Sequence, residues 1–229
     1  MSKNLVIAIV VSVLVVAGAG AFWYFNHGTA GATLASDGPA STLPPDTIGP
    51  DEHVMGSATA PVTVIEYFSQ GCSVCSHFDQ TVFSLVKAKY IDTGKIRYVM
   101  RLFPLFPIDG PAYKLDLCVP KENFFAAADL LFRNQQEWDS GEFPIADPHA
   151  GLIKMARTLG LSAEQADACM NSTAHDDNIN KVAQDATARY NPTGTPTFIF
   201  DYKKVILPGN SWEDFQAAAD AALKAKGAK

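Results

Sequence analysis

The sequence predicts an α/β domain over residues 53–229, with a helical block inserted at about residues 105–192. Three observations carry this reading. A strand, a helix and a second strand follow one another within about 45 residues, which implies a parallel βαβ unit with a right-handed crossover. Pro104, Pro107, Pro111 and Pro120 then interrupt the chain, and from Glu122 to Tyr190 the pattern is helical. Two short strands and a last helix close the chain, so the outer pieces together can form one sheet with helices on both faces.

The elements follow in order. Pro61 to Phe68 is β-branched and aromatic and mostly apolar on both faces, so it reads as a central strand. Cys75 to Tyr90 reads as a helix, with Phe78, Val82, Leu85 and Val86 at helical spacing. Residues 91–95 form a turn, and Lys95 to Phe103 is the second strand. In the helical block, Phe124, Phe125, Ala128, Leu131 and Phe132 form one apolar stripe, and Leu152, Met155, Ala156 and Leu159 form another. Ser162 to Gln165 is a capping box, and Thr173 to Asp176 resembles one. Thr197 to Phe200 and Lys204 to Leu207 form a hairpin around residues 201–203. The last helix runs from Trp212 to Lys224 with Ser211 as its N-cap.

Ahead of this domain the composition changes twice. Leu5 to Phe25 is a 21-residue run in which only Ser12 is plainly polar, long enough to cross a bilayer. Lys3 precedes it and no Lys or Arg follows until Lys87, which places the domain outside the cytoplasm. Residues 1–26 are therefore a signal anchor, or a signal peptide cleaved near Ala19-Gly20-Ala21; either one exports the domain. From Gly28 to Pro50, 18 of 23 residues are Gly, Ala, Ser, Thr or Pro, so residues 27–52 read as a flexible tether, with a strand or loop wrapping the domain as the alternative. The net charge of −6 argues against a nucleic-acid partner.

The chemistry centres on Cys72-Ser73-Val74-Cys75, which lies directly after a strand and at the start of a helix. At that position the free N–H groups and the helix dipole stabilise a thiolate on Cys72. Cys75 comes one turn later on the same face, where it can close a disulfide or resolve a mixed one. A CxxC can also be half a zinc site or a simple staple. However, Cys118 and Cys169 are far away in sequence, and His77 at two residues' distance points off the Cys75 face.

The segment from Val64 through Glu66 and Gly71 to Cys75 resembles the active-site segment of the DsbA-like branch of the thioredoxin superfamily, and the resemblance covers roughly residues 53–229. It implies a thioredoxin-like fold with an inserted helical subdomain. It also implies a buried acid at Glu66 that assists proton transfer at Cys75, and a cis-proline dipeptide at Thr195-Pro196 that shapes the substrate groove. An acid inside an apolar strand has a raised pKa suited to that role, whereas a solvent-facing Glu would have none. Two departures stand out. Ser73-Val74 replaces the Pro-His of strong oxidants, which implies a less acidic Cys72, and Gly71 stands where thioredoxins proper carry Trp. Some relatives carry a second bridge; a Cys118–Cys169 disulfide would be a staple worth about 4 kcal/mol, and two buried free thiols are the alternative.

The resemblance implies an exported, periplasmic protein-disulfide oxidoreductase without a cofactor or metal, monomeric, and held at the inner membrane through residues 5–25. Its substrates would be exported proteins with cysteines. Its redox partner would be a DsbB-like membrane protein if it is an oxidase, or a DsbD-like one if it is a reductase, with the oxidase direction favoured. The competing reading from another class is a non-catalytic copper chaperone or binding module that uses the CxxC.

Overall fold

Six strands pair into one mixed sheet in the computed structural model, which describes residues 33–34, 46–50 and 52–228. The strands are β1 (Thr33–Leu34), β2 (His53–Met55), β3 (Val62–Phe68), β4 (Ile96–Leu102), β5 (Thr197–Phe200) and β6 (Lys203–Ile206), in the order β1-β6-β5-β3-β4-β2. β3 and β4 pair in parallel, and the other pairs are antiparallel. β3 is central, so both of its faces are covered, as its near-continuous apolar run requires. Val62, Val64, Glu66 and Phe68 share one face by strand alternation, and Ile65 and Tyr67 share the other.

A helix over residues 73–91, here α1, follows β3. It consists of α-helical Ser73–Phe78 and Ser84–Val86 separated and ended by wider π-type turns at Asp79–Phe83 and Lys87–Ile91. Phe78, Val82, Val86 and Tyr90 are all buried and lie four residues apart. Ordinary turns of 3.6 residues would rotate such a stripe off the sheet, and the wider turns keep it there. This corrects the expectation for Leu85, which is 44% exposed, while Tyr90 takes the core position.

The remaining α-helices are α2 (Asp109–Asp116), α3 (Phe124–Arg133), α4 (Gln135–Trp138), α5 (Pro148–Thr158), α6 (Ala163–Met170), α7 (Asp176–Tyr190) and α8 (Trp212–Ala225), with a short 3-10 turn at Lys121–Asn123 before α3. The βα(β), helical block, ββα order is the thioredoxin-like arrangement with its insertion. Phe68, Phe78, Phe198 and Phe215 join β3, α1, β5 and α8 in the main core. A second core, built from Leu115, Leu131, Trp138, Leu152 and Met155, belongs to the insertion. Gly151 permits that packing, because a Cβ there would strike the Glu137 carbonyl and lie 2.8 Å from Trp138 Cα. Ile65, Tyr67, Val99, Ile199 and Ala186 hold α7 against the opposite sheet face.

Four further findings depart from the sequence reading. α2 forms across Pro111, which is tolerated because it falls in the first turn, where its missing N–H has no helical partner. Ser162 and Ser211 cap α6 and α8 through complete capping boxes, but α7 begins at Asp176 after His175 with no side-chain cap, so Thr173 does not serve that role. β2 was missing from the expected strands. Part of the stretch read as a flexible tether, residues 27–52, is attached to the domain: Thr33–Leu34 pair with β6, and Asp46, Thr47 and Glu52 bind Arg101. Gly- and Pro-rich composition does not reveal carboxylates that meet a buried guanidinium. The expected span, residues 5–25, lies outside the described residues. Among the described residues, no helix is long and apolar enough to cross a membrane.

Candidate active site

Cys72 is the N-cap of α1, with φ −86° and ψ 116°, and its carbonyl accepts the Ser76 N–H at 3.0 Å. Both cysteines of the motif are free thiols; Cys75 is fully buried and Cys72 is 5% exposed. The Cys72 thiol donates to the Thr195 carbonyl at 3.2 Å. The Thr195–Pro196 peptide bond is cis, and it leads directly into β5. The site therefore joins the β3–α1 junction to the start of β5, two points 123 residues apart in sequence.

The two thiols have opposite acidities. The neighbouring Cys75 thiol lowers the Cys72 pKa from 9.0 to about 6, with help from the main-chain N–H groups of Cys75 and Val74, against the opposing effect of burial. Burial pushes the Cys75 thiol well above 9.0, and the nearby Cys72 and Glu66 push it further. Near neutral pH, Cys72 is thus the thiolate and Cys75 holds its proton. Val74 is 43% exposed and contributes no side-chain donor; the lowering comes from the other thiol and from the helix start.

Glu66 lies buried on the β3 face that packs under α1. The Tyr98 hydroxyl donates to its Oε2 at 2.6 Å. Burial raises its pKa from 4.5 to about 7; the Tyr98 bond opposes this rise, and charge on Cys72 adds to it. A carboxyl that changes charge near neutrality beside Cys75 can deliver or accept that thiol's proton.

Sequence reasoning missed several residues that hold this arrangement. Tyr98 could have been found from the β3–β4 register, which sets it opposite Val64, one pleat from Glu66. Gln135 Nε2 donates to the carbonyls of Gln70 at 2.7 Å and Cys72 at 3.1 Å. Gln70 donates in turn to buried Asp116, whose carboxyl burial raises well above its ordinary range. No sequence signal marks these contacts, because they join the CxxC loop to helices of the insertion. Gly71 also finds its reason here: a Cβ would meet Asp139 Oδ1 at 2.9 Å and Phe106 Cδ2 at 3.1 Å, so a Trp at this position has no room. Cys118 and Cys169 form a disulfide between the end of α2 and α6, with Cα atoms 6.2 Å apart; both are half-buried and neither belongs to the CxxC pair. Among the described residues, no group of three or more His, Cys, Asp or Glu is arranged to hold a metal ion. A cavity of about 630 Å³ between the β2–β4 side of the sheet and α7 is lined by Arg101, Tyr67, His53 and His175, among others, and does not include the CxxC.

A thioredoxin family model matches residues 49–221. The chain belongs to the thioredoxin family. Within it the likeness is to DsbA proteins. The crystal structure of Wolbachia pipientis α-DsbA1 superposes with a TM-score of 0.69 at 27% identity, over 78% of this chain and 94% of that one. BdbD from Bacillus subtilis shares the fold, with a TM-score of 0.64 at 20% identity over 76% and 93% of the two chains. A Rickettsia typhi protein named as a protein-disulfide oxidoreductase is 30% identical over 183 residues, which is 76% of this chain and 63% of the relative. The chain thus spans somewhat less than two thirds of that relative's length.

Proposed function

We propose that this thioredoxin-family chain is a protein-disulfide oxidoreductase that oxidises thiols of exported proteins with a Cys72–Cys75 disulfide. The observation that carries this reading is the split between the two cysteines: an acidic Cys72 facing the cis-Pro196 loop and a buried, protonated Cys75 beside Glu66. In the oxidised form, a substrate thiolate attacks Cys72 Sγ, the Cys72–Cys75 bond breaks, and Cys75 leaves as a thiolate that takes a proton from Glu66. A second substrate thiolate then attacks the substrate sulfur of the mixed disulfide. Cys72 departs as a stabilised thiolate, the substrate leaves with a disulfide, and the pair has gained two electrons. The Thr195 main chain offers an extended substrate segment a strand-like partner.

The low pKa of Cys72 supports the oxidase direction, because stabilising the reduced form makes a couple more oxidising. The Cys118–Cys169 bridge and the apolar run at residues 5–25 support an extracytoplasmic location, held at the inner membrane. A DsbB-like membrane protein would then reoxidise the pair. The full chain, oxidised and held in detergent, should convert a reduced peptide dithiol to its disulfide with loss of the Cys72–Cys75 bond, and Cys72→Ser should abolish this. Absence of conversion by the wild-type chain would overturn the reading.

A further inference from the structure

The loop that presents Cys72 is gripped by a carboxylate from another part of the chain. Asp109, the first residue of α2, is 0% exposed. Its Oδ1 accepts the Gly71 N–H at 2.7 Å. Its Oδ2 accepts the Ser69 hydroxyl at 2.9 Å and the N–H groups of Leu105 at 2.7 Å and Phe106 at 2.9 Å. The bonds to residues 105 and 106 are local and would suit an ordinary helix start. The bonds to Ser69 and Gly71 cross 40 and 38 residues and have no such explanation. The rest of the loop is equally committed: Ser69 O accepts the Cys72 N–H at 3.2 Å, and Gln135 holds the carbonyls of Gln70 and Cys72. Phe106 packs where a Cβ on Gly71 would fall, and Leu105 beside it is 43% exposed.

We propose that Asp109 is a positioning residue for exchange at Cys72. One of its oxygens fixes the backbone amide that precedes the nucleophile, and the other fastens that loop to the Leu105–Phe106 lip. The role rests on the exchange activity proposed above. Asp109 does not touch the reacting sulfurs; it acts through the main chain of residues 69–72. A nucleophile held in a single geometry needs less ordering in the transition state, so loosening the loop slows the chemical step more than it weakens substrate binding.

The two oxygens differ in load, which makes Asp109→Asn informative. The one oxygen of Asn can keep the three donors of Oδ2, and its amide then faces the Gly71 N–H with a donor instead of an acceptor. The lip and Ser69 stay in place, and only the Gly71 amide beside Cys72 loses its acceptor. With a fluorescent peptide dithiol and the full chain, kcat should fall by about tenfold, as for one lost bond to a charged acceptor, and KM should stay within about twofold of wild type. An unchanged kcat, or a loss carried entirely by KM, overturns the role. A second measurement needs no variant. In the wild-type chain, the Gly71 amide should exchange with deuterium as slowly as the amides of β3. Exchange at the rate of an open loop overturns the clamp even if Asp109→Asn fails to fold. If the wild-type chain oxidises no dithiol, the activity reading fails, and the Gly71 amide still decides whether the clamp exists.

Discussion

At the scale of single residues, the account rests on three titrating groups within one turn of α1 and one strand pleat. Since the Cys75 thiol is the chief support of the Cys72 thiolate, the alkylation rate of Cys72 should rise with pH around a midpoint of about 6. Cys75→Ala should move that midpoint up towards the ordinary thiol range, as read by iodoacetamide labelling across pH. Glu66 makes a prediction with a definite sign. Its pKa is raised from 4.5 to about 7, so between those values the folded chain holds the proton more tightly than the unfolded one. Its contribution to stability is fully present below about 4.5 and is lost as pH rises through about 7. Glu66→Gln should therefore be more stable than wild type by about 3 kcal/mol at pH 8 and match it near pH 4, in denaturant titrations at the two pH values. The same variant should slow dithiol oxidation about a hundredfold by removing the proton donor to Cys75. The two cysteines were legible because strand, CxxC and helix follow one another directly, whereas the role of Glu66 is what the family resemblance implies. The cis bond at Pro196 came only with the family resemblance, since nothing in the local sequence marks it.

At the scale of elements, α1 and the segment before β2 show what periodicity can and cannot reveal. Phe78, Val82, Leu85 and Val86 mark the helix in the sequence, but the buried stripe is Phe78, Val82, Val86 and Tyr90, whose four-residue spacing calls for wider turns and leaves Leu85 outside. The segment before β2 has the composition of a tether, with no apolar stripe. Its attachment is ionic: Arg101, 8% exposed, donates to Asp46 at 2.9 and 3.0 Å, to Glu52, to Thr47 O at 3.2 Å and to the Tyr67 hydroxyl at 3.1 Å. Tyr190 on α7 donates to the same Asp46 at 2.8 Å. Removing the guanidinium would strand two half-buried carboxylates beside a sheet face. Arg101→Met should cost about 3–5 kcal/mol in chemical denaturation and expose the segment around residues 46–52 to proteolysis.

At the scale of the whole molecule, two cores share one site. The sheet core supplies Glu66, both cysteines and the cis-Pro loop, and the inserted helices supply Gln135, Asp109 and Asp116, which fix the loop before Cys72. The α/β class and the insertion could be read from element order, and the paired cysteines from one motif. The inter-core contacts could not, because hydrogen bonds between residues 38 to 65 positions apart leave no trace in local pattern. The Cys118–Cys169 bridge closes a 51-residue separation within the insertion, so Cys118→Ala/Cys169→Ala should lose about 2–4 kcal/mol of stability in equilibrium unfolding. The central claim is that a stabilised Cys72 thiolate makes the pair a donor of disulfides, and the most direct test is the reduction potential of Cys72–Cys75. It would be measured on the full chain equilibrated in glutathione buffers, with Cys72→Ser as the blank. A stabilised Cys72 thiolate should give a value between about −120 and −180 mV. A value near about −230 to −270 mV would contradict it and mark the chain as a reductant.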